Sequence, residues 1–121
     1  MSRRVVAVIG ASHDPSKYGN KAVRAYLRQG WTVYPVTPKP EPIEGLKTYR
    51  SIQDIPEHVN RATIYLPPQR GVTVLAEIAA ANVDEFFVNP GAESDELVDE
   101  ARRLGLEPIM ACSIVAIGER P

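Results

Sequence analysis

Val5–Ile9 is an unbroken apolar run, mostly β-branched, and it stops at Gly10. A strand that is apolar at every position, with no alternation, is buried on both faces. Such strands belong to parallel sheets covered by helices on each side. Small residues follow at Ala11 and Ser12, and a helical pattern begins just after Gly19. Where a strand ends in glycine and small residues ahead of a helix, the backbone can approach a bound phosphate closely. N–H groups and the positive end of the helix dipole lie near it. The same residues also suit an ordinary βα turn, because the dinucleotide glycine fingerprint is incomplete here.

The rest of the chain alternates in the same way. Ala22, Val23, Tyr26 and Leu27 share one helical face opposite Arg24, Arg28 and Gln29, and Gly30 ends that helix. Residues 31–36 read as a second strand, with Pro35 marking an edge or an exit. Ser51 caps a short turn through Asp54 and Ile55. Residues 62–66 form a third strand, cut off by Pro67-Pro68, and residues 69–81 a longer helix with Val72, Leu75, Ile78 and Ala79 inward. A fourth strand over 84–88 ends at Asn89-Pro90-Gly91. Ser94 then caps a helix opening with Asp95 and Glu96, and Gly105 ends it. Residues 107–110 make a short fifth strand, and the apolar residues 114–117 return along the sheet or pair across a dimer. These lengths imply right-handed βαβ units in one domain over residues 1–121. The expected fold is α/β, a Rossmann-like three-layer arrangement with a parallel sheet of about five strands in the order 3-2-1-4-5.

Composition narrows the function classes. A formal net charge of −1 provides no global field for nucleic acid or an anionic membrane. No apolar stretch has the length of a transmembrane helix and no secretory pattern opens the chain, so the expected location is cytoplasmic. The single cysteine, Cys112, excludes an intramolecular disulfide framework and a cysteine-based zinc cluster. No metal-ligand spacing, nucleophile elbow or nucleoside-triphosphate loop is present. Of the two histidines, His13 lies in the first loop and His58 in a polar turn. No complete catalytic constellation results.

Ligands of such sheets bind outside the carboxyl ends of the strands, which directs attention to four exits. At the first, Ser12 stands where a dinucleotide site needs its second glycine. At the second, Thr37, Pro38 and Lys39 stand where an NAD site carries an acidic residue for the ribose hydroxyls. A hydroxyl and a cation there favour a phosphorylated ribose, as in NADP or coenzyme A, although Lys39 also reads as a solvated loop lysine. At the third, Pro67-Pro68 makes either an apolar wall for a flat base or a rigid strand terminator. At the fourth, Asn89-Pro90-Gly91 suits a backbone nest or a plain turn.

Several stretches carry a resemblance. They are Val-Ile-Gly-Ala-Ser-x-x-Pro-x-Lys-Tyr-Gly over residues 8–19, Val-Tyr-Pro-Val-Thr-Pro over 33–38, and Tyr49-Arg50-Ser51-Ile52 with Asp54-Ile55-Pro56, together with Cys112. Their order and spacing resemble the small stand-alone CoA-binding domain family across nearly the whole chain. That family is similar to the amino-terminal domain of the succinyl-CoA synthetase alpha subunit and of NDP-forming acyl-CoA synthetases. Ile64-Tyr65-Leu66-Pro67-Pro68 and Thr37-Pro38-Lys39 resemble strand exits of those ligases. The resemblance implies that Gly10, Ala11, Ser12, Lys17, Tyr18 and Gly19 hold a pyrophosphate. It implies that Thr37, Pro38 and Lys39 meet the ribose phosphate. It implies that Leu66, Pro67 and Pro68 flank the adenine or pantetheine; Asn89 and Gly91 join the candidate ligand-binding residues from the nest reading of the fourth exit. Two departures stand out: Met110-Ala111-Cys112 replaces the family's Asp-Arg-Cys, and Leu-Pro-Pro replaces its Phe-Arg. In the ligases a following domain supplies a phosphorylated histidine. The expectation is therefore a non-catalytic or accessory protein that binds CoA or acyl-CoA, free or as a homodimer, with no nucleic-acid or membrane partner. An NADP-binding reductase-like domain and a ligand-free interaction module are the alternatives.

Overall fold

The computed structural model describes residues 3–121. Strands β1 (Val5–Ile9), β2 (Thr32–Val36), β3 (Arg61–Ile64), β4 (Glu85–Val88) and β5 (Pro108–Met110) form one sheet whose pairings are all parallel. Helices α1 (Tyr18–Arg28), α2 (Pro68–Gly71), α3 (Leu75–Ala80), α4 (Asp95–Arg103) and α5 (Ser113–Ala116) run between and after them. β1 is buried at every position, and its pleat splits the core in two. Val5, Ala7 and Ile9 pack with Leu75 and Ile78 of α3 and with Leu97 and Ala101 of α4. Val6 and Val8 pack with Ala22, Val23 and Tyr26 of α1 and with Ile114 of α5. Each large aliphatic side chain buried this way contributes about 1.5–3 kcal/mol. The result is the expected Rossmann-like, three-layer parallel fold. No helix of the described residues is long and apolar enough to cross a membrane.

The strand order is β2-β1-β3-β4-β5. The third strand lies on the far side of β1, not outside β2 as the order 3-2-1-4-5 had it. Pro35 explains this. In a strand, the nitrogen and carbonyl of one residue face the same neighbour. The Pro35 carbonyl accepts the Tyr49 N–H at 2.9 Å, away from β1, and Thr37 returns an N–H to the Tyr49 carbonyl at 2.8 Å. The missing donor of Pro35 thus falls on the outer edge, where one bridging residue, Tyr49, replaces a full strand. A β2 sandwiched between two full strands would lose a ladder bond at Pro35. The chain therefore leaves β1 to one side for β2 and crosses to the other side for β3. That places the topological switch point between β1 and β3.

Two local departures bear on the site. The helix expected over residues 69–81 is broken into α2, a 3-10 turn over Val72–Val74, and α3. The run Val72-Thr73-Val74 is β-branched, and the Thr73 hydroxyl donates to the Arg70 carbonyl at 2.6 Å, both of which weaken a regular helix there. The apolar stretch after Cys112 folds back as α5, with Ile114 fully buried in the chain's own core and Val115 outward.

Candidate functional site at the β1–β3 switch point

Gly10 adopts φ 87°, and a Cβ there would sit 3.0 Å from the Tyr65 carbonyl carbon. Both the turn and the close approach of the β3 exit require glycine. The Gly10 and Ala11 N–H groups both donate to the Val36 carbonyl, at 3.1 and 3.2 Å. They are spent on β2, contrary to the expectation that they point outward to a ligand. The loop that follows is held by its own side chains. Ser12 Oγ accepts the Asp14 N–H at 3.0 Å, and Asp14 Oδ1 accepts the Ser16 N–H at 2.9 Å and its hydroxyl at 2.8 Å. These bonds from Ser16 hold the Asp14 carboxyl below its ordinary pKa. Buried Asn20 donates to the Ser12 carbonyl at 3.0 Å and seats the loop on α1.

α1 then docks against this turn. A Cβ on Gly19 would lie 2.3 Å from the Gly10 carbonyl oxygen, so the helix start and the strand exit touch backbone to backbone. Lys17 occupies the N-cap position and no side chain caps the helix. The N–H groups of Tyr18 and Gly19, in the first turn, are thereby left without an intrahelical or capping partner, at the positive end of the helix dipole. Gly10 and Ala11 thus offer no free N–H at this edge, whereas the uncapped first turn of α1 does.

The cleft itself has a volume of about 350 Å3 between the exits of β1, β3 and β4. Gly10, Lys17, Tyr18, Gly19, Leu66, Pro67 and Gly91 line it, all of them residues picked out by sequence. Pro90, part of the expected fourth exit, completes its wall together with Tyr65 and Ala92, which were missed. Tyr65 was read as the interior of a strand over 62–66. The strand ends at Ile64, and Tyr65 already belongs to the exit. Lys17 is the one charged side chain in the lining.

The remaining expected residues stand apart from this cleft. Ala11 is buried, and Ser12 and Pro68 lie outside the lining. Thr37, Pro38 and Lys39 sit on the neighbouring β2 exit. Thr37 is buried there, and its hydroxyl accepts the Lys39 N–H at 3.4 Å. His13 Nε2 bonds the Glu41 carbonyl at 2.7 Å and ties that exit to the first loop. Asn89 is fully committed to the protein. Its Nδ2 donates to Thr63 Oγ1 at 2.6 Å and to the Ile64 carbonyl at 2.9 Å, and its Oδ1 accepts the Ser113 N–H at 2.8 Å. Its amide clamps α5 to the sheet, and both of its N–H donors are used within the protein. Gly91, at φ 93°, takes the third position of a turn closed by the Ala92 N–H on the Asn89 carbonyl at 2.9 Å. The Gly91 N–H meets Glu93 Oε2 at 2.9 Å, so the chain's own carboxylate fills the expected nest. His58 pairs with Asp84 at 3.2 Å, at the opposite, amino end of the strands.

Comparison with known proteins identifies the family and its relatives. Residues 4–118 match the family model described as a CoA binding domain. The chain is 35% identical, over 88% of its length, to the alpha subunit of ADP-forming acetate–CoA ligase II of Pyrococcus furiosus. It is 34% identical, over 86% of its length, to ADP-forming acetate–CoA ligase I of Archaeoglobus fulgidus. It spans 26% and 17% of those two proteins. Among solved structures, a conserved hypothetical protein of Pyrococcus furiosus superposes with a TM-score of 0.83 at 35% identity, covering 95% of this chain and 99% of that one. The dinucleotide-forming acetyl-coenzyme A synthetase 1 of Ca. Korarchaeum cryptofilum superposes with a TM-score of 0.73 at 32% identity, covering 88% of this chain and 26% of that one. With the match running from Arg4 through the strand exits that build the cleft to Gly118, the chain belongs to the CoA binding domain family.

Proposed function

We propose that the chain binds coenzyme A or an acyl-CoA along the carboxyl edge of its sheet. The observation that carries the reading is the cleft at the β1–β3 switch point, closed by the Gly10–Gly19 backbone contact and faced by the uncapped start of α1. A diphosphate placed there meets the Tyr18 and Gly19 N–H groups, the helix dipole and the Lys17 ammonium. Leu66 and Pro67 offer an apolar wall on the opposite side. Thr37 and Lys39, one strand over, are assigned to the ribose phosphate, as a hydroxyl and a cation in place of the carboxylate that NAD requires.

The reading extends to an accessory role in which the chain holds the thioester and another protein transforms it. The cleft wall supports this, because its charged group is a lysine and the His58–Asp84 pair stands at the far end of the sheet. Calorimetry with CoA, dephospho-CoA, NAD and NADP tests the binding. CoA should bind about one to two decades more tightly than dephospho-CoA, the equivalent of one charge-assisted phosphate contact of roughly 1.5–3 kcal/mol. Lys39→Ala should erase that difference. Equal affinity for CoA and dephospho-CoA removes the phosphate role of the β2 exit, and tight NAD binding without CoA binding overturns the reading. Steady hydrolysis of acetyl-CoA by the chain alone would sink the accessory role.

A further inference from the structure

A second cavity, of about 340 Å3, abuts the cleft and shares Tyr18, Tyr65 and Pro90 with it. Asn89, Cys112 and Val115 are among the residues that close it. Its size is within the roughly 300–1,000 Å3 of small-molecule sites. Its chemistry differs from that of the cleft, because among the described residues no Lys, Arg, His, Asp or Glu side chain lines it. The buried polar side chains in its wall, Asn89 and Tyr65, are already engaged. Asn89 gives its amide to Thr63, Ile64 and Ser113. The Tyr65 hydroxyl bonds Ser113 Oγ at 3.2 Å, and burial pushes its pKa upward, so it remains a neutral phenol. Thr63 and Ser113 bond each other at 2.7 Å and, like Asn89, are buried, so α5 is pinned and the cavity is preformed. Tyr18 and Val115 are 57% and 59% exposed, an unusual exposure for two apolar side chains on one cavity.

Resting on the CoA reading of the adjoining cleft, we infer that this cavity receives the acyl end of the ligand and selects neutral, apolar acyl groups over carboxylated ones. A short aliphatic chain entering past Tyr18 covers apolar surface of both exposed side chains and leaves the buried Asn89 and Tyr65 bonds intact. A terminal carboxylate would be desolvated there with no cation in the wall to meet it.

Calorimetry on the full chain with CoA, butyryl-CoA and succinyl-CoA tests this, since the two acyl chains have equal carbon number and differ in the terminal charge. Each buried methylene is worth up to about fourfold in affinity, so butyryl-CoA should exceed CoA by about tenfold or more, and succinyl-CoA should fall at least about tenfold below butyryl-CoA. Val115→Lys, at an exposed position, should shift the butyryl-to-succinyl ratio by about tenfold toward succinyl-CoA. Butyryl-CoA should also slow iodoacetamide alkylation of Cys112, while 3′-phosphoadenosine 5′-diphosphate leaves it reactive. Equal affinity for all three ligands, an unmoved ratio in Val115→Lys, or unprotected Cys112 overturns the inference while leaving the CoA reading standing. Absence of binding by CoA and by both thioesters overturns the two together.

Discussion

Gly19→Ala separates two reasons for a glycine in a helix. Gly19 lies in the first turn of α1, where its backbone is not in the left-handed region, so alanine fits the local conformation. On propensity alone the substitution should stabilise by about 1 kcal/mol. Against this, the new methyl would meet the Gly10 carbonyl oxygen at 2.3 Å, with Ala11 Cα and the Gly10 carbonyl carbon both at 3.2 Å. All of these are backbone atoms, and Gly10 is itself locked between Val36 and Tyr65. The contact must open by about 0.7 Å to reach the 3.0 Å below which real Cβ atoms essentially never sit. Overpacking of this kind costs about 1–3 kcal/mol and can cost more, and unyielding backbone on both sides puts this case at the upper end. The expected net loss is about 2 kcal/mol, read as a fall of roughly 8 °C in melting temperature for a chain of this length. Urea denaturation and thermal melts, with Lys21→Ala as a control on the same helix, make the measurement. Because α1 must tilt away from the β1 exit, CoA affinity should fall with it. A Gly19→Ala protein that melts at or above the parent would show that the helix does not rest on the Gly10 peptide and would remove the basis for the cleft.

Three further outcomes are expected. Asn89→Ala should cost about 2–4 kcal/mol in urea denaturation, since it strands the buried Ser113 N–H and the Thr63–Ile64 acceptors; a loss below 1 kcal/mol would refute the clamp. Tyr34 is pushed up to about 12, first by its hydrogen bond to Glu57, and Tyr65 is pushed upward by burial; both phenols titrate higher folded than unfolded, so their contribution is intact below about pH 10 and is lost as pH rises beyond it, and melts from pH 8 to 11 should fall less steeply in Tyr34→Phe. Oxidised CoA should leave a CoA-sized mass adduct on the parent protein and none on Cys112→Ser, by thiolate attack on the disulfide with release of one CoA thiol; no adduct on the parent would place the cavity out of reach of the CoA sulfur.

Elements governed by local chemistry were legible in the sequence. Ser94 caps α4 through the Leu97 N–H at 3.0 Å, Ser51 caps its 3-10 turn, and Gly30 and Gly105 end their helices at positive φ. Each rests on neighbours a few residues away. What failed depends on partners far along the chain. The small residues after β1 suit either a phosphate turn or an ordinary βα turn, and nothing local shows that the Val36 carbonyl takes the Gly10 and Ala11 N–H groups. Asn89-Pro90-Gly91 was read as a backbone nest or a plain turn, and nothing local shows that the Asn89 side chain binds Ser113, distant in sequence. The strand order was the largest miss, although Pro35 carried the information. Of the two readings of Pro35, an edge or an exit, the edge reading already opposed an order that put its strand in the interior.

The first loop shows why spacing motifs understate such sites. In the dinucleotide fingerprint, the last glycine serves close packing of helix against strand. Here that duty falls to Gly19, nine residues after Gly10. The intervening loop is closed by Ser12, Asp14, Ser16 and Asn20 instead of by a second glycine. The longer loop moves Ser12 out of the cleft and brings Lys17 and Tyr18 into it. A site built this way replaces strand-exit amides with a helix start and a lysine. Its affinity should therefore fall with added salt through Lys17 while the dipole and N–H contacts persist. Lys17→Ala should then flatten the salt dependence of CoA binding in calorimetry between 50 and 500 mM salt. An unchanged slope would assign the diphosphate to another cation and detach it from the start of α1.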